Sequence, residues 1–105
     1  MPKLSPLDCY YRCLEMFHAE GGPEPQHLNT NDTIEGPLLG YTPLKHRALS
    51  NRINKKYFAD VDANTTPAKV QKQKTIGDLS DYIFTTLPAG NKLVHQQATP
   101  AKKGT

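Results

Sequence analysis

Thr42-Pro43-Leu44-Lys45-His46-Arg47-Ala48-Leu49-Ser50-Asn51-Arg52-Ile53-Asn54-Lys55-Lys56-Tyr57 is the stretch on which the fold turns. Thr-Pro is a helix opening: threonine suits the N-cap, and proline at the first helical position sacrifices an N–H that has no intrahelical acceptor. Leu44, Leu49, Ile53 and Tyr57 then follow at spacings of five, four and four, with Ala48 on the same side. This predicts one narrow apolar stripe on an otherwise polar helix. Such a helix is stable only when neighbours cover the stripe.

Moving outward, the flanking segments supply those neighbours. Thr65-Thr66-Pro67 repeats the Thr-Pro opening and predicts a short third helix containing Ala68 and Val70. Thr75 is placed to cap a fourth, with Asp78 at the capping-box position and Ile76, Leu79, Ile83 and Leu87 on its inner face; Pro88-Ala89-Gly90 ends it. On the N-terminal side, Pro23 to Asp32 is rich in Pro, Gln, Asn and Thr and reads as a long loop, with Ile34, Leu38 and Leu39 tacking it to the core. Before it, Ser5, Pro6 and Asp8 form an N-terminal capping signature. Tyr10, Cys13, Leu14 and Phe17 recur at helical spacing, and Gly21-Gly22 offers a left-handed exit. Period-two alternation is too short anywhere to argue a sheet. The expectation is an all-α chain: a small four-helix bundle over residues 1–90, with a long loop between helices 1 and 2 and a disordered basic tail over 91–105.

Composition narrows what such a domain does. The chain has 105 residues, 36% of them apolar, with 9 prolines and no tryptophan, which excludes a large enzyme with a deep multi-element active site. No stretch approaches the roughly 20 apolar residues a membrane helix needs, and Met1-Pro2-Lys3-Leu4-Ser5 has no apolar signal core behind its charge, so a soluble, cytoplasmic protein is expected. Cys9 and Cys13, four residues apart on one helix, would need two more ligands to hold a structural metal. His18 is the one nearby candidate, so the pair reads as small core residues in a reducing compartment. His46 reads as a solvated helix residue, and His18, His27 and His95 share no ligand spacing. With no phosphate loop and no nucleophile elbow, no catalytic residue, metal or cofactor is expected.

The net charge of +3 is a cancellation. Residues 43–58 hold Lys45, Arg47, Arg52, Lys55 and Lys56 without an acid, and Lys92, Lys102 and Lys103 follow in the tail. The rest of the chain carries 5 basic and 10 acidic residues. A basic helix on an acidic body points to an acidic protein surface as partner, with Tyr41 or Tyr57 near the helix ends as anchors. Nucleic acid is the weaker alternative, because no aromatic ladder interleaves the cations.

From about Leu7 to Leu87 the order of elements and several residues resemble the acyl carrier protein family. Asp32-Thr33-Ile34-Glu35-Gly36-Pro37-Leu38-Leu39-Gly40 is similar to that family's loop leading to the prosthetic-group site. Leu44, Leu49, Ile53 and Tyr57 fall where its second helix keeps core residues, and Val61 resembles the aliphatic residue just beyond. Thr75-Ile76-Gly77-Asp78-Leu79-Ser80-Asp81-Tyr82-Ile83 carries the most specific likeness, to the last helix; Asp62 to Lys74 is a few residues longer than usual. The resemblance implies an Asp-Ser-Leu triplet whose serine takes phosphopantetheine, but this chain has Thr42-Pro43-Leu44 there, and Pro43 has no hydroxyl. It also implies an acidic second helix, which is basic here. The expected function is therefore a non-enzymatic, monomeric, carrier-like adaptor without prosthetic group, binding through Tyr41, Lys45, Arg47, Arg52, Lys55 and Lys56. The alternative is a working carrier modified at Thr42 or Ser50.

Overall fold

A computed structural model describes residues 3–93. The first capping signature forms as a reciprocal box: the Asp8 N–H donates to Ser5 Oγ (3.1 Å) and the Ser5 N–H to Asp8 Oδ2 (2.9 Å). It starts α1, Pro6–Ala19, which buries Cys9, Tyr10, Cys13, Leu14, Met16 and Phe17 and is released at Gly21, where φ is +101°. The long loop that follows contains a 3-10 turn, Pro25–His27. Then come α2 (Pro43–Arg52), α3 (Pro67–Lys72) and α4 (Ile76–Thr86), with α1 packed along α4 and α2 along α3. Among the described residues there is no strand, only isolated bridges at Leu4–Lys92 and Thr33–Thr75, and no helix is long and apolar enough to cross a membrane.

The α4 end is set by the loop. Thr75 Oγ1 accepts from the Asp78 N–H (3.1 Å), while the N–H groups of Ile76 and Gly77 donate to the carbonyls of Asp32 (3.0 Å) and Thr30 (2.9 Å). Three orphan donors of the first turn are thus satisfied, two by a segment nearly fifty residues away in sequence. Position 77 must be glycine, because a Cβ there would lie 2.0 Å from Thr30 Oγ1. Ile76, Leu79 and Ile83 are fully buried and Leu87 nearly so, as their spacing predicts. Of the loop residues expected to tack onto the core, Ile34 is fully buried and Leu39 packs at its edge, whereas Leu38 is exposed.

The second helix departs from its apolar pattern. Its buried stripe is His46, Leu49, Ser50 and Ile53, at i, i+3, i+4 and i+7, so half the inward face is polar. Leu44, five residues ahead of Leu49, is rotated about 140° away from it. It is 78% exposed rather than in the stripe, and His46, expected in solvent, is 0% exposed. At Ile53–Tyr57 the helix widens into a π turn, with the Phe58 N–H donating to the Ile53 carbonyl (2.8 Å), five residues back. The extra residue per turn hands the next core position to Phe58, which is fully buried, and turns Tyr57 to the flank of the helix. A 3-10 turn, Ala59–Val61, and left-handed Asp62 (φ 59°) then lead toward α3, which buries Val70 and leaves Ala68 exposed.

Because its stripe is thin, α2 is pinned by polar ties. Asn54 clasps the Thr65 backbone from both sides: Oδ1 accepts the Thr65 N–H (2.8 Å) and Nδ2 donates to the Thr65 carbonyl (2.9 Å). The Thr65 hydroxyl donates to Asn54 Oδ1 (2.9 Å), which leaves it free to accept from Ser50 Oγ (2.9 Å). At the far end Arg12 of α1 grips Asp60 with both terminal nitrogens (2.8 Å each) and donates to the Tyr57 carbonyl (3.1 Å). Asn91 to Leu93, expected in the tail, are packed instead: Asn91 Nδ2 donates to the Val61 carbonyl (2.9 Å), and Leu4 exchanges N–H···O bonds with Asn91 (3.0 Å) and Leu93 (2.9 Å). The remainder of the predicted tail, 94–105, lies outside the described residues.

Truncating Asn54→Ala removes both clasps and strands the half-buried Thr65 peptide groups, at an expected cost of about 1–3 kcal/mol. Urea unfolding should show a lowered midpoint at unchanged slope, whereas Lys55→Ala on the exposed side should stay within about 0.5 kcal/mol of the parent.

Candidate docking surface on the second helix

The residues singled out in sequence divide into three groups. Thr42, Pro43, Leu44 and Lys45 are consecutive and exposed at the start of α2, and Arg47, Lys55 and Lys56 are also exposed. Among the described residues none of these four cations forms an ion pair; Lys56 Nζ lies 5.2 Å from the centroid of the Tyr57 ring. Thr42 holds the N-cap position in extended backbone (φ −123°, ψ 169°), but its side chain makes no capping hydrogen bond, contrary to the role expected of it. Pro43 is the first helical residue, as predicted.

The second group is inside. Tyr41 is only 8% exposed, its ring packed edge-on against Phe17 (centroids 5.5 Å, 77°), so it does not present an anchoring ring to a partner. Burial, with the nearby Glu20 carboxylate, pushes its phenol up to about 12. Ser50, the other serine or threonine considered for modification, is 1% exposed and hydrogen bonded to Thr65. Its hydroxyl is closed to a modifying enzyme. Cys9 and Cys13 both lie in the core, and among the described residues no three His, Cys, Asp or Glu side chains come together to hold a metal ion.

The third group is Arg52 and Tyr57, which meet a residue that sequence reasoning missed. Glu20, at the C-terminal end of α1, accepts from Arg52 Nη2 at Oε1 and from the Tyr57 hydroxyl at Oε2 (2.5 Å). Its side chain is 14% exposed against 37% for Arg52, so this pair is better sheltered than an ordinary surface salt bridge. Burial alone would raise the Glu20 carboxyl, but the two hydrogen bonds and the Arg52 and Lys56 charges outweigh it and hold the group below its usual range. Burial and the same carboxylate push the Tyr57 phenol up to about 12. Arg52 is therefore held in a structural pair, and the Tyr57 hydroxyl is directed at α1.

Two depressions flank α2 and share Ala48. One, of about 480 Å³, runs toward α3 and has Leu44, Ala48 and Pro67 as its apolar lining beside Arg47, Asn51 and Asn54. The other, of about 220 Å³, lies over Glu20, Tyr41 and Arg52, with Lys45 and Leu39 at its sides. No acidic side chain lines the first. Leu44 thus lies exposed beside Lys45 and Arg47, neither of which is in an ion pair among the described residues. Comparison with protein-family models, with curated proteins and with solved structures gives no match.

Because the native Glu20 carboxyl lies below its unfolded value of about 4.3, its contribution is present above that pH and lost as pH falls through the native value. Glu20→Gln should be less stable than the parent by about 1–2 kcal/mol at pH 7. Thermal melts should show the gap closing on acidification; a gap of constant size from pH 7 to pH 2.5 would contradict this placement of the charge.

Proposed function

We propose that this chain is a carrier-like helical adaptor that takes no phosphopantetheine arm and docks an acidic protein surface on α2. The observation that carries the reading is the exposed set Lys45, Arg47, Lys55 and Lys56, none in an ion pair among the described residues, on a helix whose first residue is Pro43. Carrier-like architecture is supported by the order of a long helix, a long loop, a polar helix, a short helix and a final capped helix. An attachment position occupied by proline offers no nucleophile for phosphopantetheine transfer. A helix bearing cations instead of acids repels the basic enzymes that would serve an acyl carrier and attracts acidic surfaces. Such charges at the rim of an interface act chiefly on association rate and salt dependence.

The exposed hydroxyl of Thr42, unengaged by the helix it caps, keeps one second reading open: a carrier modified one residue before the usual position. Incubation with coenzyme A and a broad-specificity phosphopantetheinyl transferase, followed by intact-mass measurement, separates the two. An unchanged mass is expected; a gain of one prosthetic group would overturn the adaptor reading. The docking half is tested with a synthetic polyglutamate peptide at low ionic strength. Binding should fall steeply with salt and weaken by about tenfold or more in the Lys55→Glu/Lys56→Glu variant, while Lys69→Glu/Lys72→Glu on α3 leaves it largely intact. Equal binding by parent and α2 variant would contradict it.

A further inference from the structure

The centre of the α2 stripe contains a polar ring with nothing to bond. His46 is 0% exposed, and neither Nδ1 nor Nε2 has a hydrogen-bond partner. An unsatisfied buried group of this kind is destabilising, and its presence in a folded chain calls for an explanation. Two residues of one segment, Ile34 to Tyr41, lie against the ring. Tyr41 stacks parallel on the imidazole (centroids 6.0 Å, 8°), and Glu35 Oε2 stands 3.7 Å from Nδ1, too far for a hydrogen bond. This segment is closed on itself, the Tyr41 N–H donating to the Ile34 carbonyl (3.1 Å) and the Gly40 N–H to the Gly36 carbonyl (2.7 Å). It is fastened to the body by the Ile34 N–H donating to the Lys74 carbonyl (2.9 Å), by the buried Ile34 side chain, by Leu39 at the core edge and by the Tyr41 ring against Phe17. It is a small flap that shuts over a histidine.

We propose that the Ile34–Tyr41 loop is an acid-released flap, locked while the buried His46 ring is neutral and freed when that ring takes up a proton. The neutral ring can lie under the flap with one N–H and one lone pair unmet. The imidazolium presents two N–H donors and a full charge. Glu35, whose side chain is 58% exposed, can swing toward Nδ1, but nothing waits at Nε2. Opening the flap hydrates both nitrogens, so protonation and opening favour one another.

The electrostatics agree in direction. Burial lowers the ring's proton affinity and Glu35 opposes it more weakly, so the net shift is downward. Among the described residues Glu35 is the charged group acting on the ring; Tyr41, pushed up to about 12, remains a neutral phenol throughout. Glu20, Arg52 and Tyr57 act on Tyr41 and are engaged with one another. With the flap open His46 titrates near its ordinary value of about 6.5, and with it shut at a lower one. The open form therefore binds more protons, so closure is at full strength above about pH 6.5 and weakens as pH falls below it. The weakening levels off once pH passes the closed-state value.

Amide hydrogen exchange of the whole chain from pH 8 to pH 5, corrected for intrinsic exchange, reads this directly. Protection of residues 34–41 should fall on acidification by about tenfold for each unit by which closure depresses the ring, while α1 and α4 keep theirs. His46→Phe, which retains a ring for Tyr41 to stack on, should hold the flap equally closed across that range. Glu35→Gln alters an exposed side chain and preserves the fold; removing the one charge that favours the imidazolium under the flap, it should deepen the fall without moving its onset. Flat protection in the parent, an undiminished fall in His46→Phe, or a shallower fall in Glu35→Gln would overturn the proposal. None of these readouts depends on what docks on α2.

Discussion

The Glu20 carboxylate ties the second helix to the first, accepting hydrogen bonds from Arg52 and Tyr57. An acid at the C-terminal end of α1 is unfavourable for that helix on its own, because it faces the negative end of the helix dipole. Its location is repaid by tertiary contact. Of the four inward residues of α2 only Leu49 and Ile53 are apolar, so hydrophobic burial cannot by itself fix how the helix is rotated. Directional bonds do it instead: Glu20 on one flank, Thr65 on the other through Ser50 and Asn54, and Arg12 with Asp60 beyond the π turn.

This arrangement sorts the five cations of the basic stretch. Arg52 is committed to Glu20, and Lys45, Arg47, Lys55 and Lys56 are left facing water. The π turn completes the sorting. By widening one turn it puts Phe58 into the core and sends the Tyr57 hydroxyl to the same carboxylate, so the last part of the helix is held from two directions. The backbone that carries the four exposed cations is thus fixed by the scaffold.

Much of the architecture was legible from local chemistry. Ser5, Pro6 and Asp8 announce α1, Thr75 announces α4, and the apolar spacing of both helices matches what is buried. The same logic misassigned α2 because two members of its true stripe, His46 and Ser50, are polar, and Leu44 supplied an apolar residue at a spacing of five that a helix does not keep on one side. The π turn has no composition of its own. The functional residues missed in sequence, Glu20, Asn54 and Thr65, act through partners distant in the chain. The one local signal was the acid at the end of α1, out of place for the dipole.

The orientation of α2 thus depends on the Glu20 cluster and not on apolar packing alone. A double-mutant cycle of Glu20→Gln and Arg52→Met, read as unfolding free energy at pH 7, measures that dependence directly. We predict a coupling of about 1 kcal/mol or more, beyond what an exposed surface pair supplies. Effects that add to within about 0.3 kcal/mol would contradict it, and α2 would then owe its orientation to Leu49 and Ile53 together with the Thr65 and Arg12–Asp60 ties.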